Sequence, residues 1–113
     1  DLWGYAAGEK LSTEELIDEK YQGIRPAPGY PACPDHQVKF AMFHAMKADE
    51  IGMTLTESLA MDPASSVSGF YIANPNAMYF NVGKVASDQV GDFARRAGQS
   101  PEEVRRSLAS LLD

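Results

Sequence analysis

The sequence predicts an α+β fold in which an antiparallel sheet of about three or more strands carries flanking helices and a C-terminal helical hairpin. The β-rich runs cluster between residues 54 and 85 instead of alternating with helices, which favours an antiparallel sheet over a doubly wound parallel one. Two helix-start signals then follow closely, as in an antiparallel helix pair. We expect residues 1–113 to form a single, partial domain.

The N-terminal segment predicts one helix over residues 13–22. Ser12 and Glu15 form a capping box, because the hydroxyl can accept from the Glu15 amide while the carboxylate reaches back. Gly23 is expected to end the helix in a left-handed conformation. The residues before this helix read as a lead-in with two aromatic anchors, Trp3 and Tyr5.

A proline-rich loop follows, residues 25–34, and it holds four of the seven prolines. Proline fixes φ and removes a donor, so this segment is neither helix nor central strand. Pro28 and Gly29 suit the central positions of a type II turn. The loop is therefore expected to be rigid before any ligand arrives.

The remaining elements follow from periodicity and from helix-start signals. A well-buried helix is predicted over residues 36–50, with Asp35 as its cap and apolar residues at helical spacing. Residues 54–61 read as a strand, and the runs 67–72 and 78–85 read as a hairpin. Two last helices are expected to start at Ser87, which caps residues 87–97, and at the capping box Ser100-Pro101-Glu102-Glu103.

The proline-rich loop is the main candidate for ligand binding, since a rigid loop presents its backbone at low entropic cost. Arg25 lies at its entrance, and a guanidinium matches a carboxylate in a bidentate pair. Ala27 leaves the backbone open, and Gly29 permits close approach of another group. A stiff connector that Tyr30 packs onto the sheet fits the same residues, so this alternative stays open.

Other candidate residues each have a simpler structural interpretation. On a strand, one of Tyr79 and Phe80 would enter the core while the other faces out, where it could stack on an adenine. Glu19 and Glu57 are candidate ligand carboxylates, although Glu19 also fits a solvated helix charge and Glu57 a lysine pair or a sheet edge. Glu57 or His44 as a base would imply an independent enzyme, and no spacing in the sequence supports one.

Composition excludes several classes of function. The net charge is −6, with 10 basic against 16 acidic residues, so no nucleic-acid partner is expected. No run of about 18 apolar residues occurs, so no membrane association is expected. Cys33 is the single cysteine, which suits a reducing compartment and predicts a cytoplasmic protein. Together with His36 and His44, this cysteine gives too few ligands, at unsuitable spacing, for a structural zinc site.

Residues 19–36, EKYQGIRPAPGYPACPDH, resemble the signature loop of the activation domain of cobalamin-dependent methionine synthase. The resemblance extends along nearly the whole chain in order, through Trp3-Gly4-Tyr5, Leu55-Thr56-Glu57-Ser58, residues 64–71, Asp88-Gln89-Val90 and Ala94-Arg95-Arg96. It implies a module that presents S-adenosylmethionine for reductive methylation of cob(II)alamin, which reactivates an enzyme that methylates homocysteine. By itself the chain is not expected to catalyse a reaction.

The resemblance also implies the site residues and the partners. Arg25 and the backbone around Ala27 would bind the amino-acid part of the ligand, Tyr79 and Phe80 would supply an aromatic pair, and Glu19 a nearby carboxylate. The predicted ligand site comprises Glu19, Arg25, Pro26, Ala27, Pro28, Gly29, Tyr30, Tyr79 and Phe80. Cobalamin would be bound by another domain of the parent enzyme, and zinc only elsewhere in it.

The expected partners are that cobalamin-binding domain and a flavodoxin-type or flavoprotein reductase. The alternative is a non-catalytic docking module for the same partners, using the basic cluster Arg95, Arg96, Arg105 and Arg106 to attract an acidic electron donor. The same cluster fits a solvated helix face with i,i+4-type pairs. An uncovered sheet edge would also allow pairing with a second copy of the chain.

Overall fold

The computed structural model describes residues 6–112, so the predicted anchors Trp3 and Tyr5 lie outside the described part. Over this range the chain forms α1 (Thr13–Ile17), α2 (Val38–Met46), β1 (Thr54–Leu55), β2 (Met61–Asp62), α3 (Ser87–Ala97) and α4 (Pro101–Ser107). Short 3-10 turns follow α2 and α4, at Ala48–Ile51 and Ala109–Leu111. The predicted α+β class is confirmed.

Helix α1 begins as predicted and ends early. Ser12 Oγ accepts from the Glu15 amide at 3.2 Å, and Glu15 Oε2 accepts from the Ser12 amide at 2.8 Å. The helix stops at Ile17 because Glu19 takes a left-handed conformation, with φ 57°. The expectation of a helix to residue 22 that Gly23 terminates is therefore wrong.

Helix α2 is shorter and more exposed than the apolar spacing indicates. Left-handed Lys47, with φ 50°, ends it at Met46. Asp35 Oδ1 accepts from the Gln37 amide at 2.9 Å, one turn before the helix proper. The prediction of a well-buried helix is wrong, since Lys39 is its buried residue while Phe40 and Met46 are 58% and 75% exposed.

The predicted strand over residues 54–61 is in fact a tight hairpin. Thr54 pairs with Asp62 and Leu55 with Met61, in antiparallel register. The chain reverses between them because Thr56 Oγ1 accepts from the Ala60 amide at 3.1 Å. Within residues 6–112 the sheet thus has two short strands, fewer than the three or more expected.

The runs 67–72 and 78–85 do not form the predicted hairpin with each other. Their connecting turn is present, since the Ala77 amide donates to the Asn74 carbonyl at 3.0 Å. The first run instead pairs with the proline-rich loop through an antiparallel bridge between Ile24 and Ile72. The second run meets the C-terminus, where Val85 pairs with Leu112.

The predicted C-terminal helical hairpin is confirmed, and it holds a cluster of four buried apolar residues, Val90, Ala94, Val104 and Leu108. At its start, Ala86 occupies the cap position instead of Ser87, and Gln89 Oε1 accepts from the Ala86 amide at 2.9 Å. The second capping box forms as predicted. No helix among residues 6–112 has the length and hydropathy needed to span a bilayer.

Candidate ligand-binding site

The entrance of the proline-rich loop is held to the segment 70–72 by main-chain hydrogen bonds. Ile24 and Ile72 exchange a pair of bonds at 3.0 and 2.9 Å, and the Phe70 amide donates to the Pro26 carbonyl at 2.9 Å. Gly23 permits this approach, because a Cβ at that position would lie 1.9 Å from the Ile72 carbonyl oxygen. The backbone around Arg25 is therefore fixed by a segment far away in sequence.

The centre of the loop folds on itself. The Tyr30 amide donates to the Ala27 carbonyl at 3.2 Å, and Gly29 has φ 94°, which together confirm the predicted type II turn. Gly29 and Cys33 extend it with a second bond at 2.8 Å. A Cβ on Gly29 would lie 2.3 Å from the His36 ring. The group that closely approaches Gly29 is thus the imidazole of His36.

Arg25 is surrounded by aromatic and acidic groups. Its guanidinium carbon lies 4.1 Å from the ring centroid of Tyr21 and 4.3 Å from that of Tyr71. One guanidinium nitrogen lies 3.6 Å from Glu9 Oε1. The Arg25 backbone amide donates to the hydroxyl of Tyr79 at 2.9 Å. The side chain is thereby held in a defined direction and is 26% exposed.

The hydroxyls of Tyr21 and Tyr79 share a hydrogen bond of 2.5 Å. Partial burial raises the pKa of Tyr21 to about 12, and the hydrogen bond to Tyr79 adds to this. Tyr21 is accordingly neutral at physiological pH. The pair links the start of the proline-rich loop to residue 79.

A cavity of about 580 Å³ opens beside this network. Its lining includes predicted site residues from both segments, namely Arg25, Pro26, Ala27, Pro28, Tyr30, Tyr79 and Phe80. Residues 66–68, Met61 and Lys39 close other sides. Its size lies within the range of about 300–1,000 Å³ that is typical of small-molecule sites.

The structure places several candidate residues differently from the sequence predictions. Tyr79 and Phe80 are 44% and 54% exposed, so the expectation that one ring enters a core is wrong; both line the cavity. Glu19 lies on the exposed turn after α1 and does not line the cavity, and neither does Gly29. Glu57 lines a second, more polar cavity of about 550 Å³.

Sequence reasoning missed three residues that organise the site: Tyr21, Tyr71 and Lys39. Lys39 is 6% exposed, and its Nζ donates to the Leu59 carbonyl at 2.7 Å and contacts His36 Nδ1 at 3.0 Å. A single charge within an apolar helical run was the available signal for Lys39. The two tyrosines gave none, because their contacts with Arg25 depend on the tertiary structure.

A rigid loop, a cation held beside aromatic rings and an adjoining cavity are features that suit a small molecule with an anionic end. A family model for the activation domain of vitamin B12-dependent methionine synthase matches residues 1–98. The chain therefore belongs to this family, as the sequence motif predicts.

A solved structure agrees with this assignment. The chain is similar to the crystal structure of the MetH reactivation domain bound to AdoHcy, with 54% identity and a TM-score of 0.90. The match covers 97% of this chain and 34% of the other, so the chain spans about a third of that protein's length. The fold and the family are thus shared, over a limited part of the larger domain.

Proposed function

We propose that this chain binds S-adenosylmethionine in the cavity beside the proline-rich loop and presents it for reductive methylation of cobalamin held elsewhere in the parent methionine synthase. The main observation is the position of Arg25, whose guanidinium lies beside two tyrosine rings at the edge of a cavity of about 580 Å³. The similar MetH reactivation domain, at 54% identity, is bound to AdoHcy.

The lining suits each part of such a ligand. Arg25 offers in-plane donors to the carboxylate of the amino-acid part. The exposed rings of Tyr30, Tyr79 and Phe80 offer faces to the adenine and to the positively charged sulfonium. The turn at Pro28 and Gly29 keeps the backbone of the loop in one conformation, which lowers the entropic cost of binding.

The proposed reaction transfers the sulfonium methyl group to cobalt, takes up one electron from a reductase and leaves the thioether S-adenosylhomocysteine. No proton moves in this transfer, so the site needs no general acid or base. The residues of this chain would bind and orient the ligand and leave its methyl group exposed to the partner. We accordingly expect no turnover by this chain without the cobalamin-binding domain.

Calorimetric titration of the full-length protein with S-adenosylhomocysteine tests the binding proposal. Arg25→Ala is expected to weaken binding roughly 10- to 100-fold, because a hydrogen-bonded charge contributes about 1.5–3 kcal/mol. Arg96→Ala is the matched control, since that side chain is 65% exposed, pairs with Asp92 and should leave affinity unchanged. The proposal fails if the wild-type protein gives no saturable heat or if Arg25→Ala binds normally.

The partner domain is proposed to approach the mouth of the cavity. Val67, Tyr30 and Phe80 are 86%, 67% and 54% exposed there, which leaves an apolar rim for a docking surface. The basic cluster on the last helices is a weaker candidate for an electron donor, because Arg95 and Arg96 both pair with Asp92. Cross-linking that depends on Phe80 and not on Arg96 would support this arrangement, and the reverse dependence would contradict it.

A further inference from the structure

We propose that Tyr71 and Tyr21 are positioning residues that direct the Arg25 guanidinium toward the anionic end of the ligand. We call these two side chains the tyrosine clamp. The inference rests on the proposed function and adds to it the origin of the site's preference for a carboxylate-bearing nucleoside. It concerns residues that flank the cavity and do not line it.

The clamp holds Arg25 without using its hydrogen-bond donors. Both rings lie within 4.3 Å of the guanidinium carbon, measured to their centroids, and contact the guanidinium through their faces. A cation–ring contact uses no N–H donor, and the five N–H groups of a guanidinium lie in its plane. The donors therefore remain able to form a bidentate pair with a carboxylate.

Each ring is itself held in place by the backbone. Tyr71 lies between Phe70 and Ile72, whose amides donate to the Pro26 and Ile24 carbonyls at 2.9 Å each. The main-chain pairing that fixes the proline-rich loop thus also brings this ring onto Arg25. Tyr21 is fixed from the other side, through the hydrogen bond between its hydroxyl and that of Tyr79.

Glu9 adds a contact at the edge of the guanidinium. Its Oε1 lies 3.6 Å from one terminal nitrogen, and its Oε2 accepts from the Gln22 amide at 3.1 Å. This carboxylate balances the charge of Arg25 at a distance longer than a hydrogen bond. A ligand carboxylate can form shorter bonds to the remaining donors, so Glu9 supports the orientation of Arg25 without saturating it.

An arginine that is free in solution samples many rotamers, and ordering it opposes binding. The clamp lowers this cost because the guanidinium is already ordered before the ligand enters. Tyr71 is 78% exposed, so its ring contributes little to a core, and replacing it should leave the fold intact. Its contact with Arg25 is therefore the feature that a substitution will change.

The test compares two ligands that differ in the amino-acid part. The full-length protein is titrated with S-adenosylhomocysteine, which has the carboxylate, and with 5′-methylthioadenosine, which lacks the whole amino-acid end. Tyr71→Leu is expected to weaken binding of the first about fivefold, the upper end for an exposed cation–ring contact, and to leave the second unchanged. Tyr71→Phe keeps the ring and should restore wild-type affinity for both.

Two further variants complete the test. Tyr21→Leu should also weaken binding of S-adenosylhomocysteine, which keeps the test decisive if Tyr71→Leu does not fold. Because it also removes the hydrogen bond to Tyr79, its control is Tyr21→Phe, which removes that bond and keeps the ring. In an Arg25→Ala background, Tyr71→Leu should have no additional effect, because the two residues act through one contact. The inference is overturned if Tyr71→Leu weakens both ligands equally or weakens neither, or, should that variant not fold, if Tyr21→Leu binds S-adenosylhomocysteine no more weakly than Tyr21→Phe does.

The outcomes also separate this inference from the proposed function. If the wild-type protein binds neither compound, the proposed function fails and the inference fails with it. If binding of S-adenosylhomocysteine requires Arg25 and is insensitive to both tyrosines, the proposed function stands and the tyrosine clamp alone is rejected.

Discussion

The C-terminal helical hairpin and the ligand-binding region are stabilised in different ways. The hairpin, residues 87–112, buries Val90 and Val104 completely and surrounds them with apolar side chains. The ligand-binding region, residues 21–36 together with 66–80, is held by main-chain bonds, tyrosine hydroxyls and a cation beside two rings. Stability is thus concentrated in one region and recognition in the other.

The difference follows from what each region has to do. Apolar burial stabilises a fold in proportion to area and has little directional preference. A site that receives a ligand has to leave its rings and donors accessible, so it depends on directional contacts to keep them in place. Exposed Tyr30 and Phe80 in the ligand-binding region illustrate this requirement. Substitutions in the two regions should therefore affect different measurements.

Among the substitutions proposed, Gly23→Ala should cause the largest loss of stability, and this loss should be confined to the ligand-binding region. The residue has φ 83°, and an added Cβ would lie 1.9 Å from the Ile72 carbonyl oxygen, so we expect a loss of about 3 kcal/mol in local stability. Hydrogen exchange of the Ile24 and Ile72 amides, with that of Leu108 as reference, measures it.

The matched control for this change is Gly91→Ala in α3. No atom lies within 4 Å of the Cβ it would add, and alanine favours a helix, so we expect a gain of about 0.5–1 kcal/mol. Equal exchange at Ile24 and Leu108 in Gly23→Ala would mean that the two regions unfold as one unit.

Val104→Ala tests the other side of the comparison. It removes two methyl groups from a fully buried position, which should lower the free energy of unfolding by about 2 kcal/mol. Affinity for S-adenosylhomocysteine should stay unchanged in the folded protein, because no contact of the cavity is lost. Urea denaturation and calorimetry measure the two quantities, and a parallel loss of affinity would contradict the separation of stability from recognition.

Lys39 lies in α2 and lines the cavity, and Lys39→Met is expected to lower stability less than the preceding substitutions. It removes the bond from Nζ to the Leu59 carbonyl at 2.7 Å and the contact with His36, which should cost about 1 kcal/mol. Ligand affinity should fall a few-fold, because His36 packs against Gly29 of the loop. Lys10→Met, at an exposed position, is the control. If both substitutions change stability and affinity equally, the contacts of Lys39 do not contribute to the site.

The features that the sequence predicts correctly are local ones. Both serine–glutamate capping boxes and the turn at Pro28 and Gly29 form as expected, since their partners lie within a few residues. Helices α3 and α4 are also correct, because each has an apolar face and begins close to its predicted start, although Ala86 and not Ser87 occupies the cap position of α3. Recognition of the family depended on a long continuous motif and needed no tertiary information.

The errors concern pairing between distant segments. Residues 67–72 have the composition of a strand, yet their amides bond to residues 24 and 26 and not to the following run. Alternation of apolar residues indicates a strand and does not identify its partner. The contact of Tyr71 with Arg25 follows from that same pairing, which explains why the loop was predicted and the tyrosine clamp was not.

The smallest predicted effect concerns the pH dependence of the helical hairpin. The Ser100 backbone amide donates to Glu103 Oε2 at 2.8 Å, which lowers the pKa of Glu103 below its ordinary value of 4.5. The ionised carboxylate is favoured in the folded state, so its contribution is fully present above pH 4.5 and is lost as the pH falls through the lowered pKa.

Glu103→Gln should therefore flatten the decline of the melting temperature between about pH 5 and pH 3. Glu102→Gln, in the same first turn of α4 and without the capping bond, should retain the wild-type slope. Thermal unfolding monitored by circular dichroism at several pH values measures both variants. Identical slopes for the two would mean that the ionised carboxylate of Glu103 does not contribute to the stability of the hairpin.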